Sequence, residues 1–269
     1  MGPPQPAVSG ATRCGQVGLV QGRCVRQHLQ VHIRSKLRSW IKRARKRGAL
    51  WVRTLDAVRH IGTAEGRWQL WTRVAHGNEL HQTTSYTADD RYPELFDLAA
   101  RMRPDAARIL SFGCSTGEEL AALRRRFSGA EIIGAEINSR NRRIATKRAA
   151  ADSGMSVVRP NAIAGAFDLV FALAVLQREP HKIAEMDVDD LSAHYPFERF
   201  DAAVGELVDR LDLGGLLCVI HAHYPVEAST AFAELEVVAE SPLMESPLFG
   251  RDGRRLARPV ARTIFRKCR

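Results

Sequence analysis

Two sets of residues have types and spacings that can do chemistry. The first begins at Arg108, where the chain reads Arg-Ile-Leu-Ser-Phe-Gly-Cys-Ser-Thr-Gly-Glu-Glu-Leu. Gly113, Cys114, Ser115, Thr116 and Gly117 form a small-residue turn, and its glycines let the backbone bend tightly and approach a ligand. Glu136 lies nineteen residues after Gly117, about where a carboxylate grips a pair of ribose hydroxyls in nucleoside-binding units. The second set is His221, His223 and Tyr224. A histidine near its ordinary pKa can take a proton from a hydroxyl or an amine, so these three are the candidate catalytic bases.

Glu118 and Glu119 bear on which nucleoside is bound. A dinucleotide unit seats its pyrophosphate on a helix N-terminus, with a third glycine allowing close packing. Here the pattern is Gly113-x-Ser115-x-x-Glu118, followed by Glu119. Two carboxylates in the first helical turn repel a pyrophosphate and tolerate a cation. S-adenosylmethionine has no phosphate and carries a sulfonium and an ammonium group. The loop therefore favours S-adenosylmethionine over NAD or a nucleotide.

The elements that must position these groups follow from the apolar pattern. A strand through Ile109, Leu110 and Phe112 enters the glycine turn, and a helix runs from Glu118 to Phe127. A second strand, Ala130 to Glu136, ends in the carboxylate. Asn138 to Asp152 is an Arg-rich helix, and Met155 to Val158 a short third strand. Phe167 to Ala174 is continuously apolar, as a strand buried on both faces should be. Ala172 to Leu176, at its end, should face the cofactor crevice. A long connection from Gln177 to Phe200 leads to a helix over Arg199 to Leu211. Leu213 to His223 is a glycine turn and fifth strand, whose alternation puts His221 and His223 on one side. Glu234 to Ala239 and Val260 to Arg266 supply two last strands, and a helix over Pro93 to Met102 leads into the first.

On these residues the region from Tyr86 to Arg269 resembles a class I S-adenosylmethionine-dependent methyltransferase. The run Gly113 to Glu119 is especially similar to the glycine loop of chemotaxis-receptor glutamate methyltransferases. The resemblance implies an α/β fold: a doubly wound, Rossmann-like, seven-stranded, mostly parallel sheet, here with a basic helical N-terminal extension. It implies that Phe112, Gly113, Cys114, Ser115, Thr116 and Gly117 line the cofactor, with Glu136 and Ile137 at the ribose and Ala172 across the crevice. Two departures stand out. Ser111 occupies a position where the family often has an acid, and Asn161-Ala162 stands where many members carry an Asp for the adenine amino group. An Asn oxygen still accepts a hydrogen bond, so Asn161 and Ala162 are the adenine candidates. A polar segment before the first helix commonly folds over the site in this family, which makes Tyr86, Thr87 and Arg91 contact candidates.

The 269 residues carry a net charge of +10, and it is unevenly placed. Residues 1–60 hold thirteen Lys and Arg against one acid, Asp56, for +12; the other 209 residues carry −2. The high pI thus describes an extension. Residues 1–25 read as a disordered or dispensable tail and 26–75 as a basic helical extension, with Leu29, Ile33, Leu37, Trp40 and Ile41 at helical spacing. Residues 76–269 read as the methyltransferase-like domain. The basic arm suits packing on its own domain or a weak contact with an anionic surface.

The five cysteines are scattered, odd in number and without a C-x-x-C pair, so no disulfide framework or metal site is indicated. That pattern fits a reducing cytoplasm. No apolar run reaches the length of an integral membrane segment.

Methyl transfer from a sulfonium is an in-line displacement with a good leaving group, so no triad or metal cluster is required. The reading is S-adenosylmethionine-dependent methyl transfer to an unidentified small-molecule or protein acceptor. The other class is a noncatalytic S-adenosylmethionine-binding or partner-binding module that uses the basic arm. The glycine loop reports on the cofactor and not on the acceptor.

Overall fold

The computed structural model describes residues 62–63, 67, 89–240, 247–257 and 262–269. Apart from three of its residues, the basic segment 1–75 lies outside them, as do Tyr86 and Thr87.

Helix α1 (Pro93–Met102) starts on a proline, whose missing N–H costs nothing in a first turn. It leads to β1 (Arg108–Phe112), α2 (Glu118–Arg126), β2 (Glu131–Ala135), α3 (Ser139–Ala149) and β3 (Met155–Val158). After these come β4 (Phe167–Leu173), α4 (Pro180–Met186), α5 (Phe197–Asp209), β5 (Leu211–Ile220), β6 (Leu235–Glu240) and β7 (Arg262–Lys267). The seven strands make one sheet in the order β3-β2-β1-β4-β5-β7-β6. Strands β1 to β5 pair in parallel, and β7 is antiparallel to both β5 and β6. This is the expected doubly wound, mostly parallel sheet. Chain order reverses between β1 and β4, and ligands of open α/β sheets bind beyond the carboxyl ends of strands at such a switch point.

The strand alternation divides the core into two layers. Leu110, Val170 and Leu217 pack with Phe200, Val204 and Leu207 of α5 on one face. Ile109, Phe171 and Cys218 pack with Phe96 of α1 and Leu120 and Leu123 of α2 on the other. Between the layers β4 is buried on both faces, which is why it reads as an unbroken apolar run.

Two differences from the sequence reading matter for the site. The connection after β4 is not all loop, because Pro180 opens the short helix α4. Strand β5 also starts earlier and stops earlier than expected. Gly214, at φ +78°, lies inside it, and the β4–β5 register slips between Phe167 and Leu169. The glycine pair therefore makes a bulge within the strand. At the other end His221 takes φ +55° and terminates β5. His221 and His223 are in a loop, and strand alternation does not govern them.

Candidate functional site

The loop between β1 and α2 lies at the switch point. Gly113, Ser115 and Gly117 have φ of +80°, +51° and +89°, a region open to glycine and costly by roughly 1–2 kcal/mol for other residues. The N–H groups of Gly113 and Cys114 both donate to Ala135 O of β2, at 2.8 and 3.1 Å. A Cβ on Gly113 would stand 2.7 Å from Val175 Cγ2, and one on Gly117 3.1 Å from Ala145. The first glycine thus admits the loop after β4, and the second admits α3. Cys114 is buried, and its sulfur fills the space beside Gly134. Burial, joined by the charges of Glu136 and Glu119, pushes its thiol well above the ordinary value. The protonated thiol is a packing group rather than a nucleophile.

Glu136 stands one residue beyond β2 and is buried. Its Oε2 accepts the Ser115 N–H at 2.9 Å, and its Oε1 accepts the Asn138 N–H at 2.6 Å. The carboxylate therefore ties the glycine loop to the start of α3. The Ile137 N–H also acts on this carboxylate; with about four acceptor positions, capacity for a hydroxyl remains. Burial pushes its carboxyl up to about 7 against the lowering pull of those N–H bonds. Asn138 also caps α3, accepting from Arg140 N and Asn141 N at 3.0 and 3.1 Å. Arg142 Nη1 donates to the carbonyls of Glu136 and Ile137 at 2.8 and 3.1 Å, fixing Ile137 at the same edge. The Asn138-Ser139 start of a helix was a legible capping signal, but its partnership with Glu136 was not.

The paired acids separate. Glu118 turns to Arg148 at 2.7 Å and accepts the Thr116 hydroxyl at 2.6 Å. Although burial raises it, these bonds hold its carboxyl below the ordinary range. Glu119 instead accepts the hydroxyl of buried Ser111 at 2.7 Å. Burial pushes it up to about 7, opposed by Ser111 and by the charge of Arg91. The carboxylate missing from β1 at Ser111 is thereby supplied from α2, and Arg91 belongs to its surroundings. The sequence reading treated both acids alike because spacing does not show which side of the turn each faces.

At the other side of the switch point, β4 ends at Leu173 and Ala174 takes φ +56°. Ala174 N donates to Ile220 O at 2.8 Å, so the ends of β4 and β5 stay joined. Ala172 is fully buried inside β4; Val175 is the residue that packs on the glycine loop. Phe112, partly buried, closes β1 beside the turn. Asn161 and Ala162 sit exposed in a single 3-10 turn after β3.

The three candidate bases are not equivalent. His221 follows β5 directly, is partly exposed, and has its ring 5.7 Å from that of Tyr92. His223 is buried, and its Nε2 lies 3.0 Å from Arg178 O. A carbonyl only accepts, so this nitrogen carries the proton. Burial pushes the His223 pKa below the ordinary histidine value. Its N–H and C=O bond Leu176 O and Phe249 N at 3.1 and 2.9 Å, joining the loop after β4 to the segment before β7. Tyr224 is buried among Tyr195, Phe197 and Phe200, and its hydroxyl donates to Tyr195 O. Of the three, His221 alone keeps solvent access. Among the described residues no group of His, Cys, Asp and Glu could hold a metal ion.

Residues 80–188, which include the glycine loop, Glu136 and the end of β4, match a family model described as a methyltransferase domain. That segment is similar to methyltransferase domains. Among solved structures it is similar to CalS10, an amino pentose methyltransferase from Micromonospora echinaspora, at 21% identity over 57% of this chain and 56% of that one, with a TM-score of 0.39. It is similar to the N-methyltransferase NodS from Bradyrhizobium japonicum at 17% identity, covering 67% of this chain and 99% of that one, TM-score 0.44. TehB from Haemophilus influenzae is 13% identical over 68% of this chain and 64% of that one, TM-score 0.46. The chain spans about half the length of the first solved structures it matches. No curated protein matches the sequence.

The residues present fit S-adenosylmethionine. The domain has a buried carboxylate, Glu136, with acceptor capacity to spare and an Oγ of Ser115 buried without a partner, and Glu119 is a second carboxylate at the same turn.

Proposed function

We propose that the domain transfers a methyl group from S-adenosylmethionine to an acceptor presented beside His221. The observation that carries this reading is the Glu136 carboxylate, which holds the Ser115 and Asn138 N–H groups and has acceptor capacity left for the ribose. S-adenosylmethionine supplies an activated methyl group on a sulfonium whose thioether leaves readily. Glu136 orients the ribose, the Gly113–Gly117 backbone closes on the methionine side, and Glu119 meets the ammonium group. Asn161 and Ala162 border the adenine.

Catalysis then rests mainly on alignment. His221, at the joined ends of β4 and β5, takes the acceptor's proton where one must be removed. His223 and Tyr224 act through position: the first holds the loop after β4, and the second anchors the aromatic layer beneath it. The acceptor is a small molecule or a protein side chain with an ionisable or hydroxyl nucleophile. The three described cysteines are free thiols, which supports a cytoplasmic setting. No helix among the described residues is long and apolar enough to cross a membrane.

The test is transfer of a labelled methyl group from S-adenosylmethionine into amine, hydroxyl and carboxylate acceptor pools by the purified protein. Incorporation that requires both Glu136 and His221 supports the reading. Cofactor binding with no incorporation into any pool would instead leave a binding module.

A further inference from the structure

The two arginine-rich helices of the fold treat their charges differently. In α2, Arg124 pairs with Asp152 at 2.8 Å, Arg125 with Asp89 at 3.1 Å, and Arg126 with Asp97 and Asp90 at 2.6 and 2.8 Å. In α3, which reads Ser-Arg-Asn-Arg-Arg-Ile-Ala-Thr-Lys-Arg-Ala, two cations are used internally. Arg142 is spent on the carbonyls of Glu136 and Ile137, and Arg148 on Glu118 and Thr116 O. Arg143 and Lys147 remain exposed, and among the described residues no acid pairs with either. They are four residues apart on one helical face, where like charges destabilise each other. Helix α3 packs on β3. Just beyond β3, Arg159 is exposed and also has no acid among the described residues, and its charge bears on Arg142. The cationic excess is therefore local. The 209 residues after residue 60 carry −2 in total.

We infer that Arg143, Lys147 and Arg159 form a docking surface for the phosphodiester backbone of a single-stranded nucleic acid, beside the adenosine edge of the crevice. Charge complementarity selects a polyanion, and arginine's planar fork matches phosphate oxygens. A lipid surface fits less well. An interfacial helix needs an apolar face to insert, and the apolar residues of α3 are turned inward: Ala145 and Ala149 are buried and Ile144 is partly buried. The exposed large apolar residues among those described are Met186, Leu213 and Leu256, none of them on α3 or β3. The surface holds phosphates without reading bases, so it binds with little sequence preference.

The test uses the full chain and a fluorescently labelled dodecauridylate, followed by anisotropy from 50 to 200 mM salt. Two triple variants are compared with the parent: Arg143→Ala, Lys147→Ala, Arg159→Ala, and the same positions changed to Glu. Losing three phosphate contacts should lower the slope of log affinity against log salt by about 2. Binding at 50 mM salt should weaken at least tenfold. A titration of S-adenosylhomocysteine in the same samples should be unchanged; it reports the cofactor reading separately. Variants that bind the oligonucleotide as the parent does would overturn the assignment, and so would a parent that does not bind it. Loss of binding to phosphatidylserine vesicles, with oligonucleotide binding intact, would give the surface to lipid and equally overturn it.

Discussion

Val175 occupies the space that a side chain on Gly113 would need: a Cβ there would lie 2.7 Å from Val175 Cγ2. The glycine loop and the loop after β4 thus interlock directly across the switch point. Gly113→Ala should abolish S-adenosylhomocysteine binding and lower stability, through both this clash and the φ of +80°. Adding Val175→Ala removes the 2.7 Å Cγ2 contact and leaves the 3.0 Å approach of the residue-175 Cβ together with the backbone strain of roughly 1–2 kcal/mol. Thermal melts of the single and double variants should therefore show partial recovery. No recovery would mean that the loops do not interlock this way.

Two raised carboxyls, buried Glu136 and partly buried Glu119, give a pH dependence. Glu136 and Glu119 are each raised from an ordinary 4.5 to about 7 by burial. In the free protein a raised carboxyl keeps its proton better folded than unfolded. Its contribution to stability is therefore greatest below pH 4.5, declines from there to about 7, and is flat above. Glu136→Gln keeps one acceptor for the Ser115 and Asn138 N–H groups and cannot ionise, so it should flatten this fall of the melting temperature between about pH 4.5 and 7. Cofactor binding runs the other way, because hydroxyl and ammonium donors want the ionised carboxylates. S-adenosylhomocysteine affinity should fall as pH drops from 8 to 6, more steeply in the parent than in Glu136→Gln or Glu119→Gln. Calorimetry across that range measures it.

The three residues after β5 should separate by variant. His221→Ala should lower methyl transfer by about 10²–10⁴-fold if the acceptor must lose a proton, with cofactor binding and melting temperature unchanged. Tyr224→Phe leaves the Tyr195 carbonyl without its donor and should cost about 1–3 kcal/mol of stability. His223→Ala should also destabilise, because it frees Arg178 O and the loop after β4. A stable His223→Ala or Tyr224→Phe protein with no activity would return those residues to the chemistry.

The strand pattern was readable because burial writes itself into sequence. Phe167 to Leu173 is apolar throughout because both faces are covered, and β3 and α1 fall where their runs begin and end. Gly113, Gly117 and Glu136 were readable because their types serve backbone geometry and hydrogen bonding that few other residues can supply. What was not readable depends on direction. Nothing local says that Glu118 turns to Arg148 while Glu119 turns to Ser111. Nothing local says that His221 breaks β5 and leaves His223 buried, since both outcomes suit an apolar strand followed by a polar loop. Val175 looked like one more apolar residue, and its role appears only when Gly113 is brought against it.

The basic segment should be separable. The described core layers are supplied by residues from Tyr92 onward, while residues 1–60 carry +12. A chain lacking residues 1–60 should fold and bind S-adenosylhomocysteine within about twofold of the parent, by circular dichroism and calorimetry. An insoluble or non-binding product would place Leu29, Ile33, Trp40 and Trp51 in the domain core.

The central claim is that this domain holds S-adenosylmethionine through Glu136. Calorimetry with S-adenosylhomocysteine, NAD and ATP tests it most directly, on the parent and on Glu136→Ala. The account predicts that S-adenosylhomocysteine binds and the other two do not. It also predicts that Glu136→Ala weakens binding at least tenfold, as expected for lost charge-assisted bonds of about 1.5–3 kcal/mol each, with an unchanged circular dichroism spectrum. Tighter binding of NAD, or an unchanged dissociation constant in Glu136→Ala, would contradict it.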